Sequence, residues 1–263
     1  MSQQSPTGVL VVSVDVDAAD VRGDLNLQRA LNSTSVALLG VLANHGVAGT
    51  WAMSDPAHSL MTDRLLSDPL PHELALLGEA SWTAPTMGRA RFSRELAERV
   101  QQAAQRGVKL GTLAVRETAA PHYDLLVRAG MSVLRSTAPD ARRANWWPTG
   151  MRMAAPNTAH AVRWGLWQVK TTWRNFEGGL MASRRGIDRS AAQGGLITWV
   201  LDGPKLVEGG ASFLRMVDRV LAYAERRRHE GRLQTSTLQA FVDGQLRRRE
   251  SFPSNSILRS EAA

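Results

Sequence analysis

The sequence has no cysteine, which excludes disulfide bonds, cysteine-ligated zinc and a cysteine nucleophile. It also has no run of about 18 apolar residues, so we expect no transmembrane helix. The opening residues MSQQSPTG are polar, and no basic segment followed by a long apolar segment marks a signal peptide. We therefore expect a cytoplasmic protein.

Several catalytic motifs are missing as well. The chain has no G-x-S-x-G sequence, which excludes the nucleophile turn of the α/β-hydrolases. It has neither a P-loop nor a G-x-G-x-x-G after a strand, and its Gly-Gly pairs are typical of turns rather than of phosphate-binding loops.

Acidic residues are outnumbered, and the formal net charge is +8. Most arginines are dispersed, but two triplets stand at 226–228 and 247–249 in segments with helical patterns. A solvated helix face explains such triplets, and an anionic surface or nucleic acid is the alternative partner. Because aromatic residues do not interleave with the triplets, we do not expect nucleic acid to be the partner.

Short apolar runs alternate with amphipathic segments, which favours βαβ units and a largely parallel sheet. About seven such units favour a single-domain α/β fold, an irregular (β/α) barrel with its site at the carboxyl ends of the strands. We expect this domain at 9–248, between a flexible amino-terminal segment 1–8 and a flexible tail 249–263. The expected strands are 9–16, 47–53, 73–77, 108–115, 131–134 and 196–201, and the expected helices are 27–43, 56–66, 92–104, 121–129, 212–229 and 236–248.

Two acids end the first predicted strand. Asp15 and Asp17 are two residues apart, and the period of a strand places both carboxylates on the same side. Neighbouring carboxylates repel each other and are stabilised by a cation or a shared proton. We interpret the pair as a candidate catalytic site, with a loop acid beside a helix cap as the alternative.

From this point the sequence resembles the NodB-homology polysaccharide deacetylases. SVDVDAADVRG at 13–23 is similar to their first motif, in the variant with Asp-x-Asp, and HGVAGTW at 45–51 is similar to the helix end and strand that follow. HELALLG at 72–78 resembles the opening of the second motif, and Arg116 with the helix after Pro121 resembles the arginine motif. The segment from Gly194 resembles the last strand of the family and the motif that ends its domain. The similarity covers about residues 9–243 and depends on the order and spacing of these motifs.

The resemblance implies a metal-dependent hydrolase that removes acetyl groups from N-acetyl sugars by cleaving a carbon–nitrogen bond. Asp15 would be the general base, Asp17 would bind a divalent metal, usually zinc, and Arg116 would orient the base. In such a site the metal polarises the amide carbonyl and lowers the pKa of its bound water.

The histidines of the family are missing from this sequence. The two positions that should supply metal-binding imidazoles are Leu77 and Ser81, and the general-acid histidine should lie near Leu201, beside Asp202. A catalytic zinc site needs about three protein ligands, so Asp17 alone does not hold zinc. We therefore expect no cofactor, unless other residues rebuild a site for zinc or another divalent cation.

Substitute ligands are conceivable but match no known spacing. The histidines nearest to the predicted strand ends are more typical of surface or capping residues, and oxygen ligands would favour magnesium or manganese over zinc. The candidates are His58, His72, His122, Glu79 and Glu117.

Tryptophan is abundant, with eight residues beside two tyrosines. Trp82, Trp146 and Trp147 fall in predicted loops, where an indole ring could stack on a sugar. The alternative is packing, because tryptophan is usually largely buried. We take these three residues and Asp202 as candidate substrate-binding residues.

The sequence thus predicts a polysaccharide deacetylase-like protein with a metal-free site and little or no deacetylase activity. An Asp–Arg cluster is self-satisfying and needs no metal. The alternatives are an active hydrolase with substitute metal ligands and a non-catalytic carbohydrate-binding or regulatory protein. The expected partner is a carbohydrate or another small molecule, and the sequence does not define the oligomeric state.

Overall fold

The computed structural model describes residues 7–16, 25–57, 59–137 and 159–251. The strands are β1 (Gly8–Asp15), β2 (Thr50–Met53), β3 (Glu73–Leu77), β4 (Thr112–Ala114), β5 (Val133–Thr137), β6 (Ala159–Ala161), β7 (Trp167–Thr171), β8 (Trp173–Arg174), β9 (Leu196–Asp202) and β10 (Leu233–Ser236). The helices are α1 (Leu25–Asn44), α2 (Leu60–Ser67), α3 (Ala80–Thr83), α4 (Arg89–Gln105), α5 (Tyr123–Arg128), α6 (Gly179–Gln193), α7 (Gly203–His229, broken at Gly210) and α8 (Leu238–Ser251).

The strands form one curled sheet in the order β6-β7-β5-β4-β3-β2-β1-β9-β8, and β10 pairs with the lower half of β1. All strand pairs are parallel except β6–β7. The sheet curls back on itself because a single residue, Thr172, separates β7 from β8, and its amide donates to Thr198 O at 2.9 Å. The predicted barrel-like α/β fold is confirmed.

The two faces of β1 show how the layers are divided. Leu10, Val12 and Val14 belong to the large outer core, which the helices cover. Val9 and Val11 point to the other side, into the barrel, where they pack with residues of β5, β7, β9 and α8. By the two-residue period, Asp15 also faces the interior, at its carboxyl-terminal end. The first candidate acid therefore points into the barrel.

Helix α8 closes the amino-terminal end of the barrel. Its Leu238 and Val242 pack into the inner cluster, and its first amides are capped from the sheet. Leu238 N donates to Thr50 Oγ1 at 2.9 Å, and Gln239 N donates to Glu73 Oε2 at 2.9 Å. Burial raises the pKa of Glu73 although its hydrogen bonds oppose the shift. The bottom of the barrel is thus sealed, which leaves the other end for a site.

Element types mostly match the prediction, with differences at the boundaries. Helix α2 begins later than predicted, and its cap is Ser59, whose Oγ accepts from Met61 N. Strands β6, β7, β8 and β10 and helices α3 and α6 were not predicted from the sequence. In the described part of the chain, no helix combines the length and hydrophobicity needed to cross a membrane.

Candidate functional site

Asp15 lies at the last position of β1, and its side chain is completely buried. Its two carboxylate oxygens face two different arginines. Oδ1 lies 2.5 Å from Arg135 Nη2, and Oδ2 lies 3.5 Å from Arg174 Nη1. A buried carboxylate requires such compensation, because an isolated charge is strongly disfavoured away from water.

Arg135 stands in the middle of β5 and reaches across the barrel to β1. It is completely buried, and its Nη1 donates to Ser13 Oγ at 2.5 Å. Space for this long side chain comes from small residues on the strands between: Ala52, Ala75 and Ala114 form an inner cluster with Leu77. The guanidinium therefore fills the interior that those alanines leave open.

The second arginine joins the site to β9. Arg174 Nη1 is shared between Asp15 and Asp202 Oδ1, and Asp202 is the register partner of Asp15 on β9. Asn175 fixes Asp202 from the same segment: its Nδ2 donates to Asp202 Oδ2 at 2.8 Å, and its Oδ1 accepts from Asp202 N at 2.9 Å. The side chains of Arg174 and Asp202 are 21% and 16% exposed, so this is the open part of the network.

Several polar atoms of the barrel interior have no hydrogen-bond partner among the described residues. They include Arg135 Nε, Arg174 Nη2, Thr171 Oγ1 and Thr198 Oγ1. Buried polar groups are nearly always satisfied, by protein, by ordered water or by a ligand. The interior therefore has unused capacity, mostly for groups that accept hydrogen bonds.

The family's metal does not fit the described donor set. Leu77, at a predicted ligand position, ends β3 as part of the apolar inner cluster. Ser81, at the other, is exposed on α3 and donates to Glu79 Oε2 at 3.3 Å. Within the described ranges, no three His, Cys, Asp or Glu side chains are placed to hold a metal ion. The carboxylate of Asp15 instead faces two guanidiniums.

The structure describes only some of the other predicted site residues. Asp17, Trp146 and Trp147 lie outside the described residues, as does His58. Arg116 follows β4 by two residues, at the same end of the sheet as Asp15, and its side chain is exposed. Its role in orienting Asp15 stays a prediction, whereas the ion pairs of Asp15 involve Arg135 and Arg174, which were not predicted as site residues.

Trp82 is placed for packing in this structure. Only 1% of it is exposed, and its ring centroid lies 5.7 Å from that of Phe92. The guanidinium carbon of Arg99 lies 5.1 Å from the centre of the indole. Because protein side chains already cover the indole ring of Trp82, this burial favours packing over stacking on a sugar ring.

His72 and His122, two of the possible substitute metal ligands, contact backbone atoms in the structure. His72 Nδ1 accepts from Gly49 N at 2.9 Å, and burial lowers the pKa of this imidazole. His122 caps α5 with positive φ, and its Nε2 lies 2.9 Å from Met87 O. Among the acids, Glu117 is notable because its Oε2 is buried and has no hydrogen-bond partner in the described part of the chain.

The two arginines that the sequence analysis missed carry a weak local signal. Arg135 interrupts the otherwise uncharged strand VLRST, and a charged residue at an inward-facing position of such a strand requires a buried partner. Arg174 stands in a two-residue strand that has no periodicity of its own. For neither arginine does the sequence reveal which carboxylate it contacts in the fold.

No family model matches the sequence, and no curated protein matches it significantly. The structure is similar to that of a protein from Mycobacterium smegmatis assigned as a polysaccharide deacetylase, with a TM-score of 0.68 and 13% identity over 95% of this chain and 94% of that chain. It is also similar to a 4-alpha-glucanotransferase from Thermococcus litoralis, with a TM-score of 0.57 and 8% identity over 91% of this chain and 40% of that chain.

A CE4 family pseudoenzyme from Bacillus anthracis matches with a TM-score of 0.45 and 10% identity, over 91% of this chain and 67% of that chain, which is too distant to bear on the site. At identities this low, the likeness concerns the fold and not the chemistry. The chain therefore has the NodB-like fold of the polysaccharide deacetylases, as its sequence motifs predicted.

Proposed function

We propose that this protein is a non-hydrolytic member of the polysaccharide deacetylase fold that binds a carbohydrate-type ligand at the carboxyl end of its barrel. The observation that carries the proposal is the position of Asp15. The predicted base is completely buried and faces the guanidiniums of Arg135 and Arg174. A general base must come within hydrogen-bond reach of the proton that it removes.

The remaining groups favour binding over bond cleavage. Arg174 and Asp202 are the partly exposed members of the network, and they offer a donor and an acceptor side by side. A sugar hydroxyl is both a donor and an acceptor, so it can bond to such a pair. Fixed partners on both side chains, including Asn175, hold this pair in place before a ligand arrives.

Metal content and acetate release test the loss of hydrolysis. Purified protein should contain less than stoichiometric zinc, and it should release no acetate from chitooligosaccharides or peptidoglycan fragments. Stoichiometric zinc, or acetate release that is abolished both by a chelator and by Asp15→Asn, would overturn the proposal. Ligand-observed NMR with N-acetylglucosamine oligomers tests binding, and Arg174→Ala should remove any signal from a bound oligomer.

A graft tests the alignment of the second motif. The double variant Leu77→His/Ser81→His should bind zinc more tightly than the parent chain, because it restores the two imidazoles that the family uses. Equilibrium dialysis against zinc measures the change. The single variants are the controls, since each supplies only one new ligand; equal affinity in all four proteins would show that the two positions are not the ligand positions.

An active hydrolase with substitute ligands is the second candidate, and one observation favours it. The buried Oε2 of Glu117 lacks a hydrogen-bond partner among the described residues, which is unusual for a carboxylate. An oxygen ligand of this kind suits magnesium or manganese. Acetate release that requires manganese and is lost in Glu117→Gln would establish this alternative, and its absence at millimolar manganese would remove it.

A further inference from the structure

Positive charge is concentrated on two neighbouring helices that lie outside the barrel. Helices α6 and α7 pack against each other and together carry nine Lys and Arg against four Asp and Glu. Their excess of five accounts for more than half of the net charge of +8. The basic character of the protein is therefore local, and the site described above does not use it.

The carboxylates of these helices are already engaged within the fold. Asp188 accepts from Tyr223 Oη and from Arg227 Nε, at 2.8 and 2.9 Å. Asp218 and Glu225 both bind the ring of His45 at the end of α1. The fourth carboxylate, Glu208, pairs with Lys205 at 2.6 Å. Each of the four carboxylates therefore already has a partner within the described part of the chain.

Six arginines of the two helices have no ion-pair partner among the described residues. They are Arg184, Arg185 and Arg189 on α6, and Arg215, Arg219 and Arg226 on α7. With 3.6 residues per turn, the three on α7 fall within an arc of about 40°. This arc is opposite the buried face of α7, which includes Phe213, Val217 and Val220. The three therefore form a single exposed ridge, and all three are exposed.

Tyr223 joins the ridge to α6. The guanidinium carbons of Arg184 and Arg226 lie 5.3 and 5.2 Å from the centre of its ring, one from each helix. Arg184 Nε is buried and has no hydrogen-bond partner in the described ranges. Asp188 binds the hydroxyl of Tyr223 and Arg227, but it forms no ion pair with Arg184 or Arg226. Two guanidiniums that share one ring without an ion-pair partner of their own, in the part of the chain that the structure describes, favour a bound counter-anion. We call the six arginines the α6–α7 basic surface.

We propose that the α6–α7 basic surface binds the phosphate backbone of nucleic acid. The ridge from Arg215 to Arg226 is about 16 Å long at 1.5 Å per residue. Duplex DNA has one negative charge per ~1.7 Å of its axis when both strands are counted, so this length spans about nine phosphates, some of which face the ridge. Arginine is the side chain best suited to such contacts, because its planar fork binds phosphate oxygens in pairs.

The chemistry of the surface favours nucleic acid over other anionic partners. Membrane-surface helices bury a broad apolar face in lipid, whereas the apolar faces of α6 and α7 are already packed into the core. Protein interfaces have aromatic and apolar centres with few charges, and this surface is mainly guanidinium. A polymer with regularly repeated anionic groups, such as the phosphate backbone of nucleic acid, fits this surface better.

The sequence could not show this surface. Its triplet at 226–228 is divided by the fold: Arg226 joins the surface, Arg227 binds Asp188, and Arg228 Nη1 donates to His45 O at 2.7 Å. Arg184, which contacts the same Tyr223 ring as Arg226, comes from α6, about 40 positions earlier in the chain.

Fluorescence anisotropy with a labelled 20-base-pair duplex, between 50 and 200 mM NaCl, tests the proposal. The parent protein should bind with an affinity that falls steeply with salt. Arg215→Gln/Arg219→Gln/Arg226→Gln should bind at least about tenfold more weakly at low salt, with a log–log slope shallower by about 3, since each phosphate contact contributes about 0.9. Circular dichroism and the thermal midpoint establish that the variant is folded.

The matched control removes the same charge elsewhere. Arg91→Gln/Arg94→Gln/Lys109→Gln also lowers the net charge by three, at exposed positions on α4 and the segment after it. It should keep the affinity and slope of the parent protein. No binding by the parent at 50 mM NaCl, equal losses in both triple variants, or binding to phosphatidylglycerol vesicles but not to the duplex would each overturn the proposal.

Discussion

Replacing Arg135 by methionine tests whether the buried ion pair holds the barrel interior together. The substitution keeps a long apolar side chain and removes the guanidinium that faces Asp15 Oδ1 at 2.5 Å and Ser13 Oγ at 2.5 Å. Asp15 then keeps only Arg174, at 3.5 Å, as compensation for a completely buried carboxylate.

The expected cost follows from what is left behind. Removing one partner of a buried ion pair typically destabilises a protein by 3–5 kcal/mol, because a buried charge remains uncompensated. Since Arg174 still offers part of that compensation, we expect about 3 kcal/mol for Arg135→Met. The double variant Asp15→Asn/Arg135→Met leaves no buried carboxylate, so it should cost less than the sum of the two single changes, by about 1–3 kcal/mol.

Urea unfolding followed by circular dichroism measures these free energies. The m values of the variants should equal that of the parent, which shows that the same unfolding transition is compared. Arg106→Met is the matched control, because Arg106 pairs with Asp63 at 3.6 Å while half exposed, and surface pairs contribute about 0–1 kcal/mol. If Arg135→Met costs no more than Arg106→Met, or if the two interior changes are additive, the pair does not hold the interior and our reasoning is wrong.

Two further predictions concern the ends of helices. Burial disfavours the charged ring of His45, but hydrogen bonds to Glu225 and Asp218 outweigh this and raise its pKa above 6.5. The stabilisation is therefore complete below pH 6.5 and is lost as the pH rises through the raised pKa. The difference in thermal midpoint between the parent and His45→Gln should be constant below pH 6.5 and should shrink above it. Glu73→Ala leaves the hydroxyls of Thr50 and Thr112 and the amide of Gln239 without their acceptor and should cost about 2–4 kcal/mol in urea unfolding, whereas Glu73→Gln, which keeps an acceptor, should recover most of it.

Local pattern was enough to predict the strand that carries the site. The valine-rich run before Asp15 has no helical period, and a strand followed by a polar residue ends at the edge of a parallel sheet. The inward direction of Asp15 follows from the two-residue period alone. This part of the site was therefore predictable, because it depends only on neighbours in sequence.

The partners of Asp15 were not predictable in the same way. Arg174 is 159 residues away in the chain, and the contact exists only because β8 pairs with β9, the neighbour of β1. Strands of two or three residues, such as β8 and β6, are too short to show a period. Side-chain pairs that form across a closed sheet have no signature within any local window of sequence.

Burial also decided between alternatives that the sequence left open. Trp82 stands in a segment rich in polar and small residues, which resembles a loop at a binding site, yet the four-residue helix α3 turns its ring onto Phe92. Helix α2 begins at Leu60 rather than at position 56, and Ser59 caps it. Both outcomes depend on packing that only the complete fold provides.

The burial of Asp15 explains why two arginines extend towards it. A completely buried carboxylate at the end of β1 needs a nearby cation whatever the chemistry. Leu77 and three alanines line the interior beside it, and Arg135 extends into the space that they leave. Its guanidinium forms an ion pair with Asp15, and Arg174 extends the network to Asp202. The burial of Asp15 therefore accounts for both contacts, because a carboxylate held away from water needs positive charge beside it.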